Sequence, residues 1–325
     1  MSELLKVKNL SIHFNTFFGE LKAVRNIDFD IKEGEIVGLV GESGCGKSIS
    51  ARSILRLLKT PPALIPNGEF IFKGKRLNDL TNEGIRQIRG NEISMIFQEP
   101  MTSLNPVFRV GEQVAEVVLT HKKIPRKEVK KQVIEVFKSV GIPDAERRYS
   151  VFPHQLSGGL RQRIMIAMAL ISNSKLLIAD EPTTALDVTI QSQILKLLKD
   201  ARDGYGMSVL LITHDLGVIS EVAEKVYVMY AGKIVEETVV DELIHNPKHP
   251  YSKGLINSIP RVELPHQKGF RLNALPGKVP ELFEIPHGCP FNERCEKKMD
   301  ICEKQDPVLK ELNKKTKVAC WLYNE

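Results

Sequence analysis

Apolar and polar residues alternate over residues 7–14 and again over 28–31, the period-2 pattern of strands with one buried face. The unbroken apolar run Ile36-Val37-Gly38-Leu39-Val40 predicts a strand buried on both faces. A Gly-rich turn follows, and residues 48–58 then carry Ile49, Ile54, Leu55, Leu57 and Leu58, a pattern that predicts a helix ending before Pro61-Pro62. Residues 106–170 are mainly helical in pattern, with the basic stretch 122–131 as a solvated helix face. Two further apolar runs, 176–179 and 209–212, flank an amphipathic helix with Ile190, Ile194, Leu197 and Leu198 on one side. Strands separated by helices at this spacing imply a parallel sheet with helices on its faces, an α/β fold. Beyond about residue 245 prolines become frequent (Pro247, Pro250, Pro260, Pro265, Pro276, Pro280, Pro286, Pro290) and the periodicity fades. A domain boundary is expected there, separating residues 1–245 from an extension over 246–325.

Composition narrows the class. At 325 residues, 42% hydrophobic and 26% charged, the chain can bury its own core and is neither disordered nor fibrous. The net charge of +6 is spread along the sequence, so nucleic-acid binding is not demanded. Apolar runs such as residues 164–171 fall far short of the roughly 20 residues of a membrane-spanning helix. The opening Met1-Ser2-Glu3-Leu4-Leu5-Lys6 lacks the basic start and apolar stretch of a secretory signal, so residence in the cytosol is expected.

The turn after the buried strand reads Gly41-Glu42-Ser43-Gly44-Cys45-Gly46-Lys47-Ser48, a complete G-x-x-x-x-G-K-[ST] phosphate loop between strand and helix. Its glycines let backbone N–H groups and the helix N-terminus face phosphate. Lys47 is expected to reach the β- and γ-phosphates, and Ser48 to ligate Mg²⁺; Cys45 is read as a small filler. The run Leu176-Leu177-Ile178-Ala179-Asp180-Glu181 ends in two carboxylates, where strand ends of open α/β sheets meet their ligand. Successive strand side chains point to opposite faces, which separates the two roles. Asp180 is expected to hold Mg²⁺ through water, and Glu181 to act as general base on the attacking water.

With these elements in place, Leu156-Ser157-Gly158-Gly159-Leu160-Arg161-Gln162-Arg163 resembles the signature motif of the ABC-type ATPases, with Leu160 where the family commonly has Gln. The resemblance covers about residues 4–245. It implies a P-loop NTPase core with an antiparallel β subdomain and a helical subdomain near 99–170. It also implies that Gln98 is the Q-loop glutamine and a Mg²⁺ ligand, that Ala185-Leu186-Asp187 is the D-loop, and that His214 is the switch histidine contacting γ-phosphate. An aromatic before the phosphate loop stacks on adenine in this family. Phe14 is the best-aligned candidate, with Phe17 and Phe18 as rivals and a core role open for all three.

Within the family, Gln98-Glu99-Pro100-Met101-Thr102-Ser103-Leu104-Asn105-Pro106 and Asn246-Pro247-Lys248-His249-Pro250-Tyr251 resemble the ATPase subunits of dipeptide, oligopeptide and nickel importers. Such a subunit is expected at the cytoplasmic face of the membrane, with permease subunits, an identical or paralogous second ATPase and, through the complex, a substrate-binding protein as partners. Two cassettes would sandwich ATP, with Ser157 and Gly159 acting on nucleotide held by the other chain. The alternative is an ABC ATPase acting on nucleic acid or the ribosome. Only 58 residues separate Gln98 from Ser157, which leaves no room for the long coiled coil of repair-type members, and there is one cassette.

Cys289, Cys295, Cys302 and Cys320 cluster in the last 37 residues, and in a reducing compartment this favours metal or cluster ligation over disulfides. Their intervals of five, six and seventeen residues are wider than zinc knuckles. A structural [4Fe–4S] cluster is therefore expected, with zinc as its alternative, and the extension resembles those of peptide-importer ATPases, some of which carry such a cluster.

Overall fold

A computed structural model describes residues 2–98, 103–184, 187–258 and 275–323. The strands in chain order are β1 (Glu3–Thr16), β2 (Gly19–Lys32), β3 (Ile36–Val40), β4 (Ala63–Phe72), β5 (Lys75–Arg76), β6 (Ile93–Ile96), β7 (Leu176–Asp180), β8 (Ser208–Thr213), β9 (Lys225–Tyr230), β10 (Lys233–Val239), β11 (Lys310–Asn313) and β12 (Thr316–Val318). The chain divides into two compact units.

One unit gathers Leu5–Asp30, Val37–Arg76 and Thr213–Glu325. Its first sheet has the order β2-β1-β4-β5, with β1 antiparallel to β4 and β4 to β5. In β2 the buried Ile27, Phe29 and Ile31 alternate with Asp28 and Asp30, as a sheet with one covered face requires. Its second set of strands is ordered β11-β12-β10-β9-β3. β3 pairs parallel with β9 and is buried throughout, as its unbroken apolar run predicts. The helix after the phosphate loop is Lys47–Ile54, shorter than residues 48–58. It stops because Arg56 takes a left-handed φ of 50° while the Leu57 N–H closes on the Arg52 carbonyl, a Schellman-type ending.

Among the described residues no three His, Cys, Asp or Glu side chains converge to hold a metal ion. The expected [4Fe–4S] cluster on Cys289, Cys295, Cys302 and Cys320 is therefore overturned, and among the described residues no group is placed to hold zinc either. Burial pushes the Cys289 thiol up to about 12 and Cys320 up to about 11, and it raises Cys295 as well. Burial disfavours the charged thiolate in each of them. What shapes the segment is a backbone bond from the Cys289 N–H to the Cys302 carbonyl, 2.8 Å, and the packing of Phe291 on Tyr230 and Tyr251. β12 also adds to the edge of β10, with Glu236 opposite Val318. Sequence periodicity misses this because a few long-range aromatic contacts replace a repeating apolar face.

His249 is wholly buried here, and its Nδ1 accepts a 3.0 Å bond from the Tyr251 N–H. Desolvation, and then Lys253, lower its pKa from 6.5 to about 3. Below pH 6.5 the unfolded chain takes a proton that the folded chain refuses, so stability is lost as pH falls from about 6.5 toward 3. The loss has a slope of up to about 1.4 kcal/mol per pH unit. Denaturant titrations between pH 4 and 7 are expected to show a shallower dependence for His249→Asn than for wild type; equal slopes would contradict the buried neutral imidazole.

The other unit contains Met1–Leu4, Ile31–Ile36 and Leu77–Ile212. Its strands lie in the order β8-β7-β6, and both pairings are parallel. Its helices include Val110–His121, Arg126–Ser139 and Gly158–Leu170. Lys127, Lys130 and Lys131 are exposed, as the basic run implies. Helix Val188–Tyr205 buries Ile194, Leu195, Leu198 and Ala201. The true buried stripe thus takes Leu195 instead of Leu197, the spacing a 3.6-residue period gives.

Candidate functional site

The loop over residues 41–48 joins the end of β3 to helix Lys47–Ile54. Gly41 (φ 152°) runs so close to β9 that a Cβ would stand 2.1 Å from the Met229 carbonyl oxygen. Gly46, with φ 105°, caps the helix where a Cβ would meet the Ala23 carbonyl at 2.8 Å. Only glycine satisfies both demands. Lys47 is 5% exposed, and its Nζ donates to the Gly41 carbonyl (2.7 Å) and the Glu42 carbonyl (3.0 Å). The ammonium is thereby held inside the loop. Ser43 and Gly44 are exposed, Ser48 is half-buried, and Cys45 is buried with its thiol pushed up by desolvation, in keeping with a filler role. Two residues outside the motif also grip Glu42. Tyr251 Oη accepts from its N–H at 2.9 Å, and Arg294 donates to its carboxylate at 2.8 and 3.2 Å. Sequence reading passes over both, although the Asn-Pro-Lys-His-Pro-Tyr turn that carries Tyr251 was a signal.

β7 delivers the acidic pair. Asp180 closes the strand, fully buried, opposite Ile212 of β8. Glu181 follows with φ 49°, a left-handed conformation unusual for a non-glycine residue, and its N–H is tied to the Ile212 carbonyl at 2.8 Å. Glu181 Oε2 accepts from Gln98 Nε2 (3.0 Å) and from Thr184 Oγ1 (2.8 Å). The two expected residues Gln98 and Glu181 therefore meet, and Thr184 is a partner that no motif announces. Gln162, buried on the helix that opens at the Ser157 motif, donates to the Pro182 carbonyl at 2.6 Å, linking that helix to the acidic turn.

Ser157 caps helix Gly158–Leu170, its hydroxyl accepting from the Leu160 N–H at 3.4 Å. Ser157 and Gly158 are exposed, and a Cβ on Gly158 would meet nothing within 4 Å, so the first turn of the helix is open to a ligand. Gly159 is half-buried beside Ile190. Asp187 caps helix Val188–Tyr205 through a 2.9 Å bond from the Ile190 N–H. Ala185 and Leu186 of the same motif lie outside the described residues, as do Glu99, Pro100, Met101 and Thr102. His214 follows β8 and is exposed, beside Asp215, which caps helix Leu216–Val222. Phe14 is half-buried in β1, whereas Phe17 and Phe18 stand 98% and 84% exposed in the turn to β2, edge to face with each other.

Residues 24–184 match the ABC transporter family, and residues 235–302 match the C-terminal region of the oligopeptide/dipeptide transporter family. The chain is 48% identical to the dipeptide transport ATP-binding protein DppD of Bacillus subtilis, over 100% of its own length and 96% of that protein's. Against the oligopeptide transport ATP-binding protein OppD of the same organism it is 47% identical, over 99% of this chain and 89% of the relative. A dimeric ATP-binding cassette, MJ0796, solved with ADP and phosphate after hydrolysis, superposes with a TM-score of 0.66 at 30% identity. That likeness covers 73% of this chain and 99% of the cassette.

Proposed function

Because the chain belongs to the ATP-binding subunits of ABC-type peptide importers, we propose that it binds and hydrolyses ATP to power the import of dipeptides or oligopeptides. The observation that carries this reading is the complete phosphate loop, folded with Lys47 held inside it, in a chain like the peptide-transport ATP-binding proteins along its whole length.

In this reading residues 41–48 wrap the phosphates with backbone N–H groups, and Lys47 turns its ammonium from the loop carbonyls to the β- and γ-phosphates. The adenine stacks on an aromatic of β1 or its turn, Phe14 first and Phe17 or Phe18 as rivals. Ser48, Asp180 and Gln98 offer a hydroxyl, a carboxylate and an amide oxygen, a hard oxygen set that suits Mg²⁺ and would hold it. When bound, that ion neutralises charge on the phosphates. Glu181 takes the proton of the attacking water, its carboxylate steadied by Gln98 and Thr184. His214 donates toward the γ-phosphate.

Ser157, Gly158 and Gly159 act on nucleotide held by a second cassette, with Asp187 at the same junction. Ser157→Arg is expected to bind ATP normally yet give no ATP-dependent dimer, because the added bulk enters the partner's phosphate site. Light scattering that shows normal dimers for this variant would refute the assignment.

Among the described residues no helix is long and apolar enough to cross a membrane. In this reading the chain is a peripheral subunit at the cytoplasmic face that works with permease subunits, and a substrate-binding protein supplies the peptide. We read residues 1–245 as the ATPase, with its helical part near 99–170, and residues 246–325 as its extension. Purifying the tagged full chain from membranes is expected to bring down hydrophobic permease subunits. Recovery with RNA or DNA in a salt-sensitive complex, and without permeases, would sink the proposal.

A further inference from the structure

Glu42 is an acidic residue inside a loop built to receive phosphate, and it is held from three directions. Its N–H donates to Tyr251 Oη at 2.9 Å, its carboxylate takes both terminal nitrogens of Arg294, and its own carbonyl accepts from Lys47 Nζ at 3.0 Å. Arg294 is itself immobilised, its side chain only 6% exposed. Its Nε donates to the Pro276 carbonyl at 2.8 Å, and its guanidinium stands 5.7 Å from the Tyr230 ring and 5.8 Å from the Phe291 ring. Those two rings pack with Tyr251 at centroid distances of 4.7 to 5.5 Å. A planar fork on a carboxylate, backed by aromatic walls, fixes both position and charge.

We propose that Arg294, from the C-terminal part of the chain, is a positioning residue for ATP: it neutralises Glu42 and, through the Glu42 backbone, sets the Lys47 ammonium. The proposal rests on residues 41–48 being the ATP site. An uncompensated Glu42 carboxylate in that loop would repel the triphosphate and draw the Lys47 ammonium toward itself. With Arg294 in place the loop presents its N–H groups and one unopposed cation. Nucleotide affinity thereby depends on a residue 252 positions away in sequence.

The alternative is that Arg294 only pins the C-terminal segment, and the two roles separate by rescue. ATP affinity is measured by equilibrium titration of the full chain, with Lys47→Ala as the control that identifies the site. Arg294→Met is expected to raise the Kd for ATP by about tenfold, the scale of one charge-assisted contact. Adding Glu42→Gln to that variant is expected to bring the Kd back toward wild type, because the stranded charge is gone. If Arg294→Met does not stay folded, Arg294→Gln, which keeps a polar group facing the Pro276 carbonyl, is read in the same way. Wild-type affinity in the folded single variant, or a loss that Glu42→Gln does not relieve, would overturn the role of Arg294 and leave the ATP site standing. Wild-type protein that binds no ATP would overturn both.

Discussion

Glu181→Gln is expected to hold ATP with near-wild-type affinity while hydrolysis falls by about 10²-fold or more, the contribution of a well-placed general base. The substitution keeps the length and planarity of the side chain and leaves the backbone turn at φ 49° to the same bonds, including that to the Ile212 carbonyl. An amide oxygen can still accept from Thr184 Oγ1, now at 2.8 Å from Glu181 Oε2. It cannot take a proton from water. Binding and chemistry should therefore part, and a closed, ATP-bound dimer should accumulate. The check is ATP titration alongside steady-state phosphate release from purified, folded variant. Near-normal turnover would remove Glu181 from the role of base.

Lys47→Ala should act on the opposite quantity. Its Nζ donates to the Gly41 and Glu42 carbonyls, so the side chain both shapes the loop and stores the cation that meets phosphate. Removing it leaves carbonyls turned toward the site with no ammonium between them and the incoming anion. ATP affinity is expected to drop by about 10- to 10²-fold, the range for losing a charge-assisted hydrogen bond. Direct titration with ATP gives the answer, and an unchanged Kd would contradict the assignment of residues 41–48.

Much of this site is written locally in the chain. The run from Ile36 to Val40 becomes β3 without a residue's difference, and the loop after it has the spacing phosphate demands. Asp180 closes the buried β7 and Glu181 follows it, the order in which the apolar run and its two carboxylates stand in the sequence. Contacts between distant residues are a different matter. The bonds from Gln98 to Glu181 and from Arg294 to Glu42 span 83 and 252 positions, and neither period nor propensity encodes such a pairing. The resemblance to a family named Gln98, and the strand end named Glu181, as site residues without pairing them; nothing in the sequence pointed to Arg294.

The cysteines misled for a related reason. Their number and spacing suggest a ligand set, but among the described residues no three His, Cys, Asp or Glu side chains converge to hold a metal ion. Composition also hid the true organiser of the extension, the contact of Phe291 with Tyr230 and Tyr251. Three rings brought together from residues 230, 251 and 291 leave no periodic trace.

The central claim is that ATP hydrolysis by this chain drives peptide import, and uptake by its reconstituted transporter tests it most directly. Permease subunits copurified with the chain are placed in liposomes with the substrate-binding protein and labelled di- and oligopeptides outside, and ATP is supplied on the face that carries the chain. Wild-type complex should accumulate peptide inside the vesicles only with ATP, and the Glu181→Gln complex should not. Peptide accumulation that is the same with and without ATP, or that persists undiminished in the Glu181→Gln complex, would contradict the account.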